Sequence, residues 1–172
     1  MSCLKSGKRF AALFFSFILL ITMLIRLPAV AAEENQAGLD VAAPDFQLQD
    51  LKGTNVTLSQ FKGQKPVLLY FWATWCHFCM AARPEVIELR KATGLDDIAI
   101  IAINVGKGDS LAKVKRFEEA DPAPYIVLYD PDSKVTQSFR VEGIPHFILL
   151  DKTGEIKYEG SQLPSDPMDL LR

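Results

Sequence analysis

The chain has 172 residues, which is enough for one domain with its own hydrophobic core but too few for two. A hydrophobic content of 49% and a charged content of 23% are those of a folded globular protein, so disorder is not expected. The net charge is only −2 and no stripe rich in lysine or arginine occurs, which argues against a nucleic-acid partner.

The first 32 residues are expected to direct the chain to a membrane. Lys5, Lys8 and Arg9 precede residues 10–25, of which all but two are apolar, and small residues follow at 29–32. This order is typical of a secretory signal peptide. Extended by five residues, the apolar stretch would also cross a bilayer as an uncleaved anchor. Both alternatives predict bacterial-type export. The domain would then lie in the periplasm or on the outer face of the cytoplasmic membrane.

Residues 33–43 are polar and irregular and are expected to link this segment to a domain at 44–172. Continuous apolar runs at 66–72 and 98–105 are expected to be strands buried on both faces. The other predicted elements are a strand at 55–58, a helical turn at 59–61, helices at 76–91 and 110–120, a strand at 125–129, a helix at 133–139 and a hairpin of 146–151 and 155–158.

This order of elements predicts an α/β domain. Strands that alternate with helices imply a mostly parallel sheet covered by helices, and the final hairpin implies an antiparallel edge. At the end of the chain, residues 165–172 predict only a short helix. The helix at 110–120 is expected to be amphipathic, with its charged side chains outward, namely Lys113, Lys115, Arg116, Glu118 and Glu119.

Cys76 and Cys79 are the candidate catalytic residues for thiol–disulfide exchange. They are spaced C-x-x-C, directly after a buried strand and at the start of a helix, whereas Cys3 lies in the N-terminal segment. The first turn of a helix has free N–H groups and a positive dipole end, which stabilise a thiolate. We therefore expect Cys76 to attack and Cys79, one turn deeper and less exposed, to resolve the mixed disulfide.

Three other readings of the cysteine pair are weaker. A c-type haem site needs histidine directly after the second cysteine, where this chain has Met80. A structural zinc site needs two further ligands, and only His77 and His146 are available. A static disulfide over so short a loop would add little stability. Neither a metal nor another cofactor is expected.

Several segments resemble the TlpA/ResA-type branch of the thioredoxin superfamily, which shares its N-terminus with peroxiredoxins of the AhpC/TSA type. The resemblance covers residues 43–160 and implies the thioredoxin fold and the activity of a thiol–disulfide oxidoreductase. It implies a monomer that acts on thiols and disulfides of exported proteins, often in cytochrome c maturation, and takes electrons from a membrane donor. The matching segments are VLLYFWATWCHFC at 67–79, APDFQL at 43–48, GIPHFI at 143–148, Leu58 with Ser59, and Lys62 with Gly63.

The resemblance also suggests substrate-binding residues. It implies a cis-proline at Pro145, beside Cys76, and pairing of the Ile144 backbone with an extended substrate; an ordinary trans loop proline is the alternative. His77 either stabilises the Cys76 thiolate as a cation or simply faces solvent. Trp75 and Phe78 are expected in an apolar docking rim. Trp72 could belong to that rim or to the core, and Phe71 is expected in the core.

The chain departs from the family at three positions near the cysteines. Phe78 replaces the proline usual in reducing relatives, and Ala82 replaces a glutamate that many relatives carry. Tyr70 occupies the strand position where relatives keep an acid or an asparagine. A carboxylate that could relay a proton near Cys79 is therefore missing, and disulfide oxidase or isomerase activity competes with reductase activity. Relatives also end in a full helix, so the last helix is either short or truncated.

Two further functions are alternatives. A peroxiredoxin-like peroxidase would carry proline and threonine seven and three residues before the attacking cysteine. Those positions hold Leu69 and Ala73, so the peroxide pocket is not expected. A module that binds copper or haem would retain stoichiometric metal after purification, which we do not expect.

Overall fold

The computed structural model describes residues 41–94 and 97–172, which belong to one compact unit. The predicted signal peptide or anchor at 1–32, with Cys3, and most of the predicted linker at 33–43 lie outside the described residues. Within the described ranges, no helix is both long and apolar enough to cross a membrane.

The predicted elements all occur in the predicted order, most of them within two residues of the expected ends. One strand was missed, at Gln47–Asp50, because its exposed and half-buried residues alternate without an apolar run. The strands are β1 (Gln47–Asp50), β2 (Asn55–Thr57), β3 (Val67–Trp72), β4 (Ala99–Asn104), β5 (Ile126–Tyr129), β6 (His146–Leu150) and β7 (Ile156–Gly160). The α-helices are α1 (His77–Ala92), α2 (Leu111–Ala120) and α3 (Lys134–Ser138), and 3₁₀ turns occur at Leu58–Phe61 and Asp169–Leu171. The short last helix expected at 165–172 is thus a single 3₁₀ turn.

In the described part of the chain, the strands form one sheet in the order β2-β1-β5-β4-β3-β6-β7. Only the centre is parallel, where β4 pairs with β3 and with β5. Both flanks are antiparallel, so the sheet is mixed and has one more antiparallel edge than the sequence predicted. Every residue of β3 and β4 is buried, as their continuous apolar runs predicted.

The loop between β3 and α1 is held by the buried carboxylate of Asp109. Asp109 accepts hydrogen bonds from the Thr74 backbone at 2.8 Å, the Thr74 hydroxyl at 2.6 Å and the Asn104 amide at 2.8 Å. Lys113 Nζ lies 2.8 Å from the same carboxylate. Burial alone would raise the pKa of Asp109, but the hydrogen bonds from Asn104, Lys113 and Thr74 outweigh it and lower that pKa. A negative charge therefore anchors the residues directly before Cys76.

A buried ion pair joins α1 to α2. Arg83 donates to both carboxylate oxygens of Glu118, at 2.8 and 3.1 Å, and its guanidinium lies over the rings of Trp72 and Phe117, at 5.9 and 5.0 Å from their centroids. The expectation that Glu118 points outward was therefore wrong, since only 9% of the residue is exposed. The helical period alone could not reveal this, because an acid is buried only where a partner neutralises it.

Replacing Glu118 with alanine should destabilise the domain, because it leaves the buried Arg83 charge with Asp121, 3.2 Å from Arg83 Nε, as its remaining acidic partner. We expect the free energy of unfolding to fall by about 3 kcal/mol, measured by urea denaturation. Glu119→Ala is the matched control, since its side chain is exposed on the same helix and should change stability by less than about 0.5 kcal/mol. Equal losses in the two variants would contradict a structural ion pair.

Asp109→Asn should destabilise the domain in a way that depends on pH. The folded-state pKa of Asp109 is lowered, so its contribution is present above the unfolded pKa of about 3.9 and is lost as pH falls through the folded value. At pH 7 we expect Asp109→Asn to lower the free energy of unfolding by about 2 kcal/mol. The difference from the native protein should shrink at pH 3, which parallel urea titrations can measure.

Asp132→Asn is the control for this pH dependence. Asp132 is exposed and its ion pair with Lys134 lies at the surface, so its replacement should have little effect at either pH. A loss for Asp109→Asn that stays constant between pH 7 and pH 3 would show that the charge of Asp109 is not what holds the loop.

Candidate active site

Cys76 and Cys79 form a disulfide at the start of α1, with the sulfur atoms 2.07 Å apart. Cys76 is the N-cap of the helix, and its sulfur accepts a hydrogen bond from the Cys79 backbone N–H at 3.1 Å. Cys76 is 5% exposed and Cys79 is fully buried, so the expected order of accessibility is confirmed. The cysteine that caps the helix is therefore the one that an incoming reactant can reach.

The strand before the pair and the helix after it explain this arrangement. β3 is buried and ends at Trp72, the anchored loop turns the chain, and α1 begins at His77. Helix N-termini carry free N–H groups and a partial positive charge, which favour an anion at the N-cap. In the reduced protein the Cys76 sulfur thus occupies a position that stabilises a thiolate.

The segment before β6 lies directly against the disulfide. The Ile144–Pro145 peptide bond is cis, as the resemblance implied. The Ile144 carbonyl oxygen lies 3.7 Å from Cys76 Sγ. Antiparallel pairing of β6 with β3, in which His146 faces Phe71, brings this segment beside the cysteines although it is almost 70 residues away in the sequence.

The aromatic residues around the pair fall into two groups. Phe71 and Trp72 are fully buried, which confirms the core position expected for Phe71 and assigns Trp72 to the core as well. Trp75 and Phe78 are 53% and 74% exposed, as expected for an apolar rim. The Trp75 indole N–H donates to the Lys107 carbonyl at 2.9 Å, which fixes the orientation of its ring.

The two histidines lie near the pair without contacting the sulfur atoms. His77 is exposed, and its ring lies edge-on to that of Phe78 with the centroids 6.1 Å apart. His146 Nε2 lies 3.0 Å from a carboxylate oxygen of Glu159. The described polar contacts of Cys76 Sγ are with backbone atoms of Cys79 and Ile144. This geometry favours the solvent-facing alternative for His77.

Tyr70, which stands where the resemblance implies an acid or an asparagine, has a structural role. Its hydroxyl donates to the Cys79 carbonyl oxygen at 2.8 Å, and its ring stacks on Phe147 with the centroids 4.9 Å apart. Burial, with Tyr125 and Glu118 nearby, raises the pKa of the Tyr70 hydroxyl. Tyr70 therefore stays protonated and holds the first turn of α1 as a hydrogen-bond donor.

An open groove of about 1060 Å³ lies between α1 and the 140–147 segment, and its lining includes residues that neighbour the cysteines. Phe78 lines it near the cysteines, and Ile144 and Pro145 form part of its wall. Its polar lining includes Glu85, Arg140, Glu142, His146, Glu159 and Gln162.

Sequence analysis identified the cysteines, the aromatic rim and the proline segment that meet here. It did not identify Asp109, the hydroxyl contact of Tyr70 or the glutamates of the groove. The one signal available for Asp109 was its position. It follows a buried strand, at the end of the sheet where α/β proteins place their ligand-binding and active sites. The glutamates had no such signal, because they come from distant segments and each reads as an ordinary surface residue.

Comparison with known proteins identifies relatives over most of this chain. Residues 39–159 match the model of the AhpC/TSA family. The thiol-disulfide oxidoreductase ResA of Geobacillus kaustophilus is 34% identical over 125 residues, which are 73% of this chain and 70% of the relative. ResA of Bacillus subtilis is 32% identical over 114 residues, 66% of this chain and 62% of that protein.

A solved structure supports the same assignment. The thioredoxin domain of a thiol-disulfide oxidoreductase from Bacteroides vulgatus superposes with a TM-score of 0.65 and 27% identity, over 77% of this chain and 91% of that chain. The thioredoxin fold implied by the sequence is thereby confirmed. The chain belongs to the AhpC/TSA family and is a TlpA/ResA-like thiol–disulfide oxidoreductase of the thioredoxin superfamily, with Cys76 and Cys79 as its C-x-x-C pair.

Proposed function

We propose that this protein reduces disulfides of exported proteins, with Cys76 as the attacking residue and Cys79 as the resolving residue. The observation that carries the proposal is the position of the Cys76 sulfur: it caps α1, accepts the Cys79 N–H and is the more exposed of the two. An N-cap thiolate is a nucleophile at neutral pH, and a buried partner one turn away is protected from competing reactants.

The exchange proceeds in two steps. The Cys76 thiolate attacks one sulfur of the substrate disulfide, that S–S bond breaks, and a mixed disulfide forms while the other substrate sulfur leaves as a thiolate. This leaving thiolate accepts the proton of Cys79, which then attacks Cys76 Sγ and releases the second substrate sulfur. The substrate gains two electrons and the protein forms the Cys76–Cys79 disulfide. A dithiol electron donor in the membrane returns the protein to its reduced state.

The substrate is held beside the disulfide as an extended chain. The Ile144 carbonyl, 3.7 Å from Cys76 Sγ, precedes β6 and offers a backbone acceptor with which an extended substrate would pair. Trp75 and Phe78 supply exposed apolar surface next to Cys76 in the sequence, Pro145 lines the groove with Phe78, and the exposed His77 ring lies against that of Phe78. Since both sulfurs belong to one chain, a monomer suffices for the exchange.

The direction of electron flow follows from what stabilises the thiolate. Strong oxidants stabilise their reduced form heavily, which makes the disulfide easy to reduce. Here the contacts of Cys76 Sγ are with backbone atoms, and His77 lies against Phe78 at the surface. Moderate stabilisation of the thiolate favours a reducing protein over an oxidase or isomerase.

The site of action is proposed from the N-terminal sequence. A basic start, an apolar stretch and small residues support export by residues 1–32, either as a cleaved signal peptide or as an anchor, with the domain at 44–172 outside the cytoplasm. Cytochrome c maturation requires reduced cysteines in that compartment and is the process we propose. The peroxidase alternative lacks support, because Leu69 and Ala73, in the positions of its pocket residues, are apolar and buried.

The Cys79→Ser variant of the full chain should trap substrates in a bacterial cell that exports it. Without the resolving sulfur, mixed disulfides on Cys76 persist, and non-reducing gels followed by mass spectrometry should identify exported proteins that contain cysteine. Cys76→Ser is the matched control and should trap none. Equal trapping by both variants would refute the assignment of the two roles, and partners confined to the cytoplasm would refute export.

The reduction potential of the purified protein tests the direction. We expect equilibration with glutathione buffers to give a value near that of thioredoxin, about −270 mV, and far from the strong oxidants at about −120 mV. His77→Ala should shift the potential by less than about 30 mV, because the exposed ring does not contact the sulfur. A potential near the oxidants, or a large effect of His77, would identify a disulfide-forming protein.

A further inference from the structure

The groove beside the disulfide has an unbalanced charge. Among the described residues that line it, three are glutamates and one is an arginine. Glu85 comes from α1, Glu142 from the segment before Pro145, and Glu159 from β7. Glu85, Glu142 and Arg140 are exposed, so their charges reach the open space of the groove.

The groove that holds these carboxylates also includes two residues that neighbour the cysteines. Phe78, between the two cysteines, lines the groove at one end, and Ile144, whose carbonyl lies 3.7 Å from Cys76 Sγ, lines its wall. A polypeptide whose disulfide reaches Cys76 would therefore place its flanking residues against the glutamates. Glu159 already lies 3.0 Å from His146, which leaves Glu85 and Glu142 as the carboxylates available to a ligand.

We propose that this groove selects substrates in which basic residues flank the reactive disulfide. The inference rests on the proposed function and adds the class of substrate: an extended polypeptide segment with lysine or arginine near its cysteines. Opposite charges across a contact accelerate encounter, and screening by salt weakens the effect when the groups are exposed. A preference of this kind appears in the rate of the first exchange step.

Two synthetic peptides test the preference. Both carry the same disulfide loop, flanked on each side by two lysines in one peptide and by two glutamates in the other. The reduced protein should reduce the lysine peptide about tenfold faster at about 0.01 M ionic strength, since each exposed charge contact changes a rate several-fold. The ratio should approach one at about 1 M salt, where charges are screened within about 3 Å. Stopped-flow tryptophan fluorescence or quenched-flow chromatography measures both rates.

Charge-reversal variants distinguish an effect of the groove carboxylates from an effect of the net charge of the chain. Glu85→Lys combined with Glu142→Lys should abolish or reverse the preference for the lysine peptide. Glu88→Lys changes charge in the same direction on the same helix, but Glu88 is exposed, pairs with Lys91 and does not line the groove. It should leave the preference close to that of the native protein, and unchanged circular dichroism would show that each variant is folded.

The outcomes distinguish this inference from the function on which it rests. Equal reduction of the two peptides, or equal effects of the double variant Glu85→Lys/Glu142→Lys and of Glu88→Lys, would overturn the charge selection while leaving disulfide reduction intact. Reduction of neither peptide by protein with a free Cys76–Cys79 dithiol would overturn both.

Discussion

The hydrogen bond from the Cys79 N–H to the Cys76 sulfur is the interaction on which the chemistry of this protein depends. It exists because a buried strand ends, a short loop turns the chain, and a helix begins with cysteine at its N-cap. The free N–H groups and dipole of that helix end stabilise negative charge on one sulfur and leave the second inside the first turn. A single helix terminus thereby makes the two thiols unequal in reactivity and in access.

The surroundings hold that terminus in place from three directions. Asp109 hydrogen-bonds the loop before the cysteines, the Tyr70 hydroxyl holds the carbonyl of Cys79, and Arg83 ties α1 to Glu118 of α2. Asp109 and Glu118 are buried carboxylates, and each forms hydrogen bonds to partners that compensate its charge, as burial requires. Because none of these groups contacts the Cys76 sulfur in the described structure, they position the thiolate without adding a charged partner to it.

The surface on the substrate side combines apolar and charged recognition. Trp75 and Phe78 expose ring area next to the disulfide, and the Ile144 carbonyl provides a backbone acceptor within the same reach. The groove extends this surface with carboxylates from three segments. Backbone pairing and aromatic contact tolerate many substrate sequences, whereas contacts between charged groups discriminate between substrates. In the proposed function, binding at the cysteines is general and selection among substrates depends on the flanking residues.

The sequence by itself determined all strands and helices but β1, the C-x-x-C chemistry and the family, because apolar periodicity, cysteine spacing and motifs at 67–79 and 143–148 are local properties of the chain. It also located the proline segment, through resemblance. Only the tertiary structure decided that Glu118 is buried, that the Tyr70 hydroxyl donates to the Cys79 carbonyl, and that distant glutamates share one groove. The physical reason is that burial, ion pairing and electric field depend on which side chains from distant segments meet in the folded domain, and no periodicity of the sequence encodes these meetings.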